Sequence, residues 1–129
     1  MLICVYPYEL KKALLLDGEN AEEISDSLIL KNAKGGLMEA LVADMLIKNG
    51  CEKLYFFSST NRTLEIEFIL LNEKGILPIE VKAGKKSATK SLNKVLLEAH
   101  IPYGYQLANQ NIGVADKKIT MPLYMAMFL

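Results

Sequence analysis

Tryptophan is absent from this 129-residue chain, histidine occurs once, and cysteine twice. Cys4 and Cys51 stand far apart, with no Cys-x-x-Cys or Cys/His spacing, which excludes a structural zinc site. They read as buried free thiols of a cytoplasmic protein rather than as a disulfide. His100 follows a helix end with no partner near it in sequence, and no serine or cysteine has a recognisable base beside it. Acyl-transfer chemistry therefore finds no support. There is no Gly-x-x-x-x-Gly-Lys-Ser/Thr phosphate loop, so no nucleotide binding is expected. No apolar run approaches the ~18 residues of a membrane span. The start lacks the charged-then-apolar pattern of a signal peptide. Cytoplasmic location without membrane contact is the expectation left. Nor is there an excess of one charge: 15 basic and 15 acidic residues cancel, and net charge gives no hint of nucleic acid.

What the chain does have is apolar residues, 51% of the total, enough for one globular domain with a proper core. "LICVY" at residues 2–6 reads as a strand, and "YELKKALLLDG" after Pro7 as a helix. Residues 19–30 read as a loop and a short helix. "GGLMEALVADMLIKN", residues 35–49, is the clearest helix, with Leu37, Met38, Leu41, Val42, Met45 and Leu46 at helical spacing. Three strands follow, over residues 53–59, 63–71 and 75–83, joined by hairpin-length loops. A helix over residues 87–100 has Leu92, Val95, Leu96 and Ala99 on its apolar face. Another strand covers residues 102–108. The tail "TMPLYMAMFL" is almost wholly apolar and must pack on something. The expected fold is α/β with a mixed sheet. Its antiparallel meander is followed by a strand returning through the 87–100 helix as a crossover. Residues 1–30 form an N-terminal extension and residues 31–129 the main domain.

Within the third strand, "GILPIEVKAG", Glu80 and Lys82 are two residues apart and so share a face, while Ile79 and Val81 turn to the other. An ordinary ion pair explains this, and so does half of an active site. Glu65 and Glu67 share a face of the second strand. Adjacent antiparallel strands bring such residues within roughly 5 Å between Cβ atoms, so Glu67 and Glu80 can converge beside Lys82. Two carboxylates held close repel unless a cation or proton joins them. A hard divalent cation is the usual answer, and a lysine beside it can position a water for attack on phosphate.

An acid in a helix (Glu39), an acid in a second strand (Glu67) and Glu-x-Lys in a third (Glu80, Lys82) resemble the PD-(D/E)xK nuclease superfamily. Its restriction-endonuclease-like core runs αβββαβ, the order read above. Over nearly the full length, "KGGLMEALVADML", "LEIEFILL", "ILPIEVKAGKKSATKSLNKVL" and "MPLYMAMFL" also resemble the uncharacterised C-terminal domain of bacterial and archaeal AAA+ family ATPases. The resemblance implies catalytic Glu39, Glu67, Glu80 and Lys82, with Mg²⁺ or Mn²⁺ on Glu67 and Glu80. It also implies that the chain is detached from an ATPase module. The second-strand acid is usually aspartate in that family. Glutamate moves the carboxylate by ~1 Å, a misplacement on the scale that can cost ~10²-fold in rate. Glu65 also has a counterpart there and ranks second.

Two functions stay open at this point. One is metal-dependent hydrolysis of DNA phosphodiesters. The other is an inactive nuclease-fold module that binds DNA or protein and regulates an AAA+ ATPase. Lys86, Lys90 and Lys94 recur four apart and would suit a phosphate backbone, though a solvated helix face explains them equally. Acidic Asp17, Glu19, Glu22, Glu23 and Asp26 cluster at the other end of the chain. Tyr103, Tyr105 and Tyr124 could stack on bases, but core packing is the plainer reading. The apolar tail could dock an ATPase domain or a second copy of the chain.

Overall fold

The computed structural model describes residues 2–5, 28–84 and 90–129, with backbone only for residues 2–5 and 28–34. The helix expected after Pro7, the acidic cluster and Lys85–Lys86 lie outside the described residues. The elements are β1 (Leu2–Val5), α1 (Leu28–Lys48), β2 (Tyr55–Ser58), β3 (Glu65–Asn72), β4 (Gly75–Lys82) and α2 (Lys90–Val95). After them come β5 (Gly104–Ala108), β6 (Gly113–Ala115), β7 (Lys118–Pro122) and a 3₁₀ helix (Leu123–Phe128). They form one seven-stranded mixed sheet in the order β1-β2-β3-β4-β5-β7-β6. The β1–β4 meander is antiparallel, whereas β4–β5 and β5–β7 are parallel. The chain is α/β, and α2 is the crossover between parallel neighbours.

Strand alternation assigns the two faces. Phe68, Ile79, Val81, Leu107 and Met121 form one core with Val42, Ala43 and Leu46 of α1 and Ala126 of the 3₁₀ helix. On the opposite face Ile66 and Ile69 pack with Leu92 and Leu96, on and just after α2, and with Ile101. The apolar tail is thus half absorbed by the chain's own core: Ala126 is fully buried, while Tyr124, Met127 and Phe128 stay exposed. Leu37 and Leu41, assigned by spacing to the buried stripe of α1, are exposed. They lie to one side of the stripe formed by Met38, Val42, Met45 and Leu46.

Three elements depart from expectation. The helix α1 begins at Leu28, not Gly35, so it spans the point dividing extension from main domain. Two consecutive glycines cost a helix ~1 kcal/mol each, and here the helix continues through them. Second, α2 ends at Val95 and the chain continues in tight turns, with Leu97 N–H donating to Lys94 O and Glu98 N–H to Val95 O. Lys117 Nζ donates to the carbonyls of Glu98 and Ile101, at 3.1 and 2.8 Å, holding them off a helical path. Pro102 bars further helix. Third, the β6–β7 hairpin was not anticipated. Its turn uses Asp116 at φ 51°, a conformation aspartate tolerates, instead of an Asn-Gly or Asp-Gly signal.

At one position β4, β5 and α2 come too close for any side chain. A Cβ on Gly104 would sit 2.9 Å from both Cγ and O of Pro78 and 3.1 Å from Leu92 Cδ1. Since the obstruction includes backbone, Gly104→Ala must part the strands or lift α2. The expected loss is ~1–3 kcal/mol, read as a lowered urea midpoint at unchanged slope. An unchanged midpoint would contradict this packing.

Candidate functional site

Glu80 is 2% exposed, in the middle of the sheet on the α2 face. Its Oε1 lies 3.1 Å from Lys82 Nζ. Its Oε2 is buried and has no hydrogen-bond partner among the described residues. The exposed-pair reading, worth ~0–1 kcal/mol, does not apply to this burial. The pair belongs to the buried class, where loss of one partner strands a charge. Burial pushes the Glu80 carboxyl above its ordinary range, and the charge and hydrogen bond of Lys82, then the charge of Lys118, pull it back.

A β-bulge places Glu67. Tyr55 pairs with Ile69 but Phe57 with Ile66, so two steps along β2 face three along β3. An extra residue on β3 interrupts alternation. Ile66 therefore joins the α2-face core and Phe68 the α1-face core. The bulge parts Ile66 from Phe68, which simple alternation would put on one face. Glu65 is exposed and near Ser58 Oγ, at 3.4 Å. Glu67 instead accepts a hydrogen bond from Val81 N–H at 3.4 Å through Oε2, which satisfies a β4 donor at the irregularity. The regular β3–β4 ladder begins at Phe68↔Ile79, so Glu67 lies one residue beyond it, within electrostatic reach of Lys82, Glu80 and Glu39. Burial pushes the Glu67 carboxyl up to about 7. Its own backbone N–H and the Lys82 charge oppose the shift, while Glu80 and Glu39 reinforce it.

The remaining candidates divide. Glu39 is half-buried in the middle of α1. It reaches Glu67 electrostatically. Lys90 and Lys94 are exposed on α2, one turn apart, and Lys86 lies outside the described residues. Tyr103 and Tyr105 are half-buried against each other, ring centroids 5.6 Å apart and edge to face, while Tyr124 is exposed. Cys51 is a half-buried free thiol whose pKa burial raises.

Three residues at the site went unseen in the sequence. Gln106 is Glu80's register neighbour on β5, and Thr120 is Gln106's on β7. Lys118 sits two residues from Thr120 and interacts electrostatically with Glu80. Alternation with Tyr105, Leu107, Ile119 and Met121, all of the α1-face core, puts Gln106, Lys118 and Thr120 on Glu80's face. The only signal available was a glutamine inside an otherwise apolar strand, and a lysine pair in an unassigned segment.

Among the described residues no group of three or more His, Cys, Asp or Glu could hold a metal ion. Magnesium needs no such group: one or two carboxylates and several waters suffice. The donor set here is hard oxygen, and Glu80 Oε2, desolvated and lacking a donor, is the atom that fits a cation. Lys82 and Lys118 supply the competing positive charge. No described helix is long and apolar enough to cross a membrane. A family model described as Domain of unknown function (DUF4143) matches residues 34–125. The chain matches no curated protein and no solved structure.

Proposed function

The chain belongs to that family, and we propose that it is a nuclease-like domain whose Glu67–Glu80–Lys82 cluster takes Mg²⁺ or Mn²⁺ for hydrolysis of DNA phosphodiesters. The observation that carries this reading is Glu80: a buried carboxylate with one oxygen on Lys82 and the other without a hydrogen-bond partner among the described residues. The order α1, β2, β3, β4, α2, β5 is compatible with a restriction-endonuclease-like core. When bound, a divalent cation supplies charge at a phosphate oxygen and a more acidic water. Glu80 holds the position of that charge with its free oxygen. Glu67 contributes a ligand once it has given up its proton. Lys82, 22% exposed at the side chain, reaches from the buried carboxylate toward solvent and can orient a water or steady developing negative charge. Glu39 approaches from α1 and would act through a bridging water. Lys90 and Lys94, with Lys86 before them, would follow the DNA backbone.

A specific observation also favours a second reading. Glu67 Oε2 already accepts the Val81 N–H, so this acid has a structural task where the family resemblance implies aspartate. In that reading the domain is catalytically silent and regulates an AAA+ ATPase. Lys90 and Lys94 would then contact DNA, or exposed Tyr124, Met127 and Phe128 would contact the ATPase or a second copy.

Calorimetric titration with Mn²⁺ separates the two readings. Wild type is expected to bind at one or two sites, and Glu80→Gln, isosteric but uncharged, to lose them while keeping its circular dichroism. No heat from wild type at millimolar Mn²⁺ would sink the catalytic reading. In that case salt-sensitive DNA affinity, weakened by changing Lys90 and Lys94 but not Glu80, would support the binding module.

A further inference from the structure

We infer that Gln106 is a further ligand of the same cation site, its side-chain oxygen joining Glu67 and Glu80 as a third, uncharged protein donor. The inference rests on the cation-binding reading above and adds to it a residue from β5.

The parallel β4–β5 register pairs Glu80 with Gln106 directly. Cα partners on neighbouring strands lie ~4.8 Å apart, with side chains on the same face. On the other side, Glu67 of β3 lies one residue beyond the regular β3–β4 ladder and within electrostatic reach of Glu80 and Lys82. Glu80 therefore has Gln106 as its register partner on β5 and Glu67 of β3 nearby. Gln106 is 6% exposed, and Glu80 and Gln106 are the buried polar or charged residues of the described core. An amide buried in such a position is destabilising if it finds no partner, so its presence calls for a use.

The plainest use would be to donate an N–H to the neighbouring carboxylate. The structure does not show that: Glu80 Oε2 receives no hydrogen bond from the described residues, although Gln106 stands beside it in register. A buried carboxylate oxygen without a donor, flanked by a buried amide and a second carboxylate, is an arrangement of oxygen acceptors. Divalent hard cations are held by such sets, in which asparagine and glutamine carbonyls serve with carboxylates. The charge balance favours an amide over a third acid. Glu67 already feels repulsion from Glu80 and Glu39, and a third carboxylate beside Glu80 would add to the repulsion. A neutral oxygen adds a ligand without adding that repulsion.

The test is Mn²⁺ calorimetry on the full chain at fixed pH and salt, comparing wild type with Gln106→Leu, Gln106→Glu and Glu80→Gln. Thermal midpoints in EDTA monitor folding separately. Gln106→Leu is expected to weaken Mn²⁺ by roughly tenfold or more while staying folded, and Gln106→Glu to bind more tightly than Gln106→Leu because it retains an oxygen there. Mn²⁺ affinity equal to wild type in folded Gln106→Leu overturns the inference. If that variant does not fold, Gln106→Asn, which keeps the amide but shortens its reach, carries the same expectation and the same refutation. The two proposals fail differently. No binding by wild type removes both. Binding that Glu80→Gln abolishes and Gln106→Leu leaves intact removes only the role of Gln106.

Discussion

Phe68→Ala should destabilise the domain by about 3–5 kcal/mol, the usual cost of removing a fully buried phenylalanine. Phe68 is 0% exposed. It is the first residue of the regular β3–β4 ladder, opposite Ile79, and it shares a core with Val42 and Leu46 of α1. Two terms add: the lost transfer energy of the ring and the cavity left behind. The rigid sheet beneath and α1 above restrict collapse into that cavity. Three residues along the same strand, Leu71 is 61% exposed, and Leu71→Ala should change stability by less than about 0.5 kcal/mol. Urea unfolding of the two variants and wild type, with a shared slope, measures both. A Phe68→Ala loss near that of Leu71→Ala would mean that α1 does not seat on β3 as described. Because Phe68 directly follows Glu67 in the bulge, the same variant should also weaken Mn²⁺ binding if the proposed site is real.

The second large effect is electrostatic and runs with pH. Glu67 has a folded pKa of about 7 against an ordinary value of 4.5. Between these values the folded state binds more protons than the unfolded one, so stability falls as pH rises. Below 4.5 both states are protonated and burial of this carboxyl carries no charge penalty. Above about 7 both are ionised and the full penalty is present. The shift corresponds to roughly 3 kcal/mol at ~1.4 kcal/mol per pH unit. In EDTA, wild type should therefore lose stability across that window, and Glu67→Gln should remove most of the decline. The amide is neutral throughout and its oxygen can still accept from Val81 N–H. At pH 8 the variant should be the more stable protein, while at pH 4.5 the two should match. Chemical denaturation across that range checks this, and parallel curves for both proteins would refute the assignment. Saturating Mn²⁺ should flatten the wild-type curve too, since a cation would offset at high pH the charge that a proton neutralises at low pH.

Local sequence determined a good deal here. Alternation in "GILPIEVKA" put Ile79 and Val81 opposite Glu80 and Lys82. The 3.6-residue stripe through Met38, Val42, Met45 and Leu46 identified the core helix. The meander and crossover followed from loop lengths, because a short turn permits only an antiparallel neighbour and a parallel one needs an intervening segment. The tertiary structure decided the rest. Alternation says that Glu80 faces away from Ile79, but it does not say whether that far side meets water. Packing of α2, β5 and β7 decided that it is buried, and so changed an ordinary strand-face ion pair into a desolvated one. The bulge that parts Ile66 from Phe68 has no glycine to announce it. It arises from the mismatch of β3 with β2 on one side and β4 on the other. Gln106 and Lys118 reach Glu80 only through the register of parallel strands, which pair residues 26 positions apart between β4 and β5 and 14 apart between β5 and β7. Short-range periodicity reports which face a residue takes on its own strand. Which residues then stand beside it depends on pairing between distant segments, and that pairing is set by packing of the whole sheet.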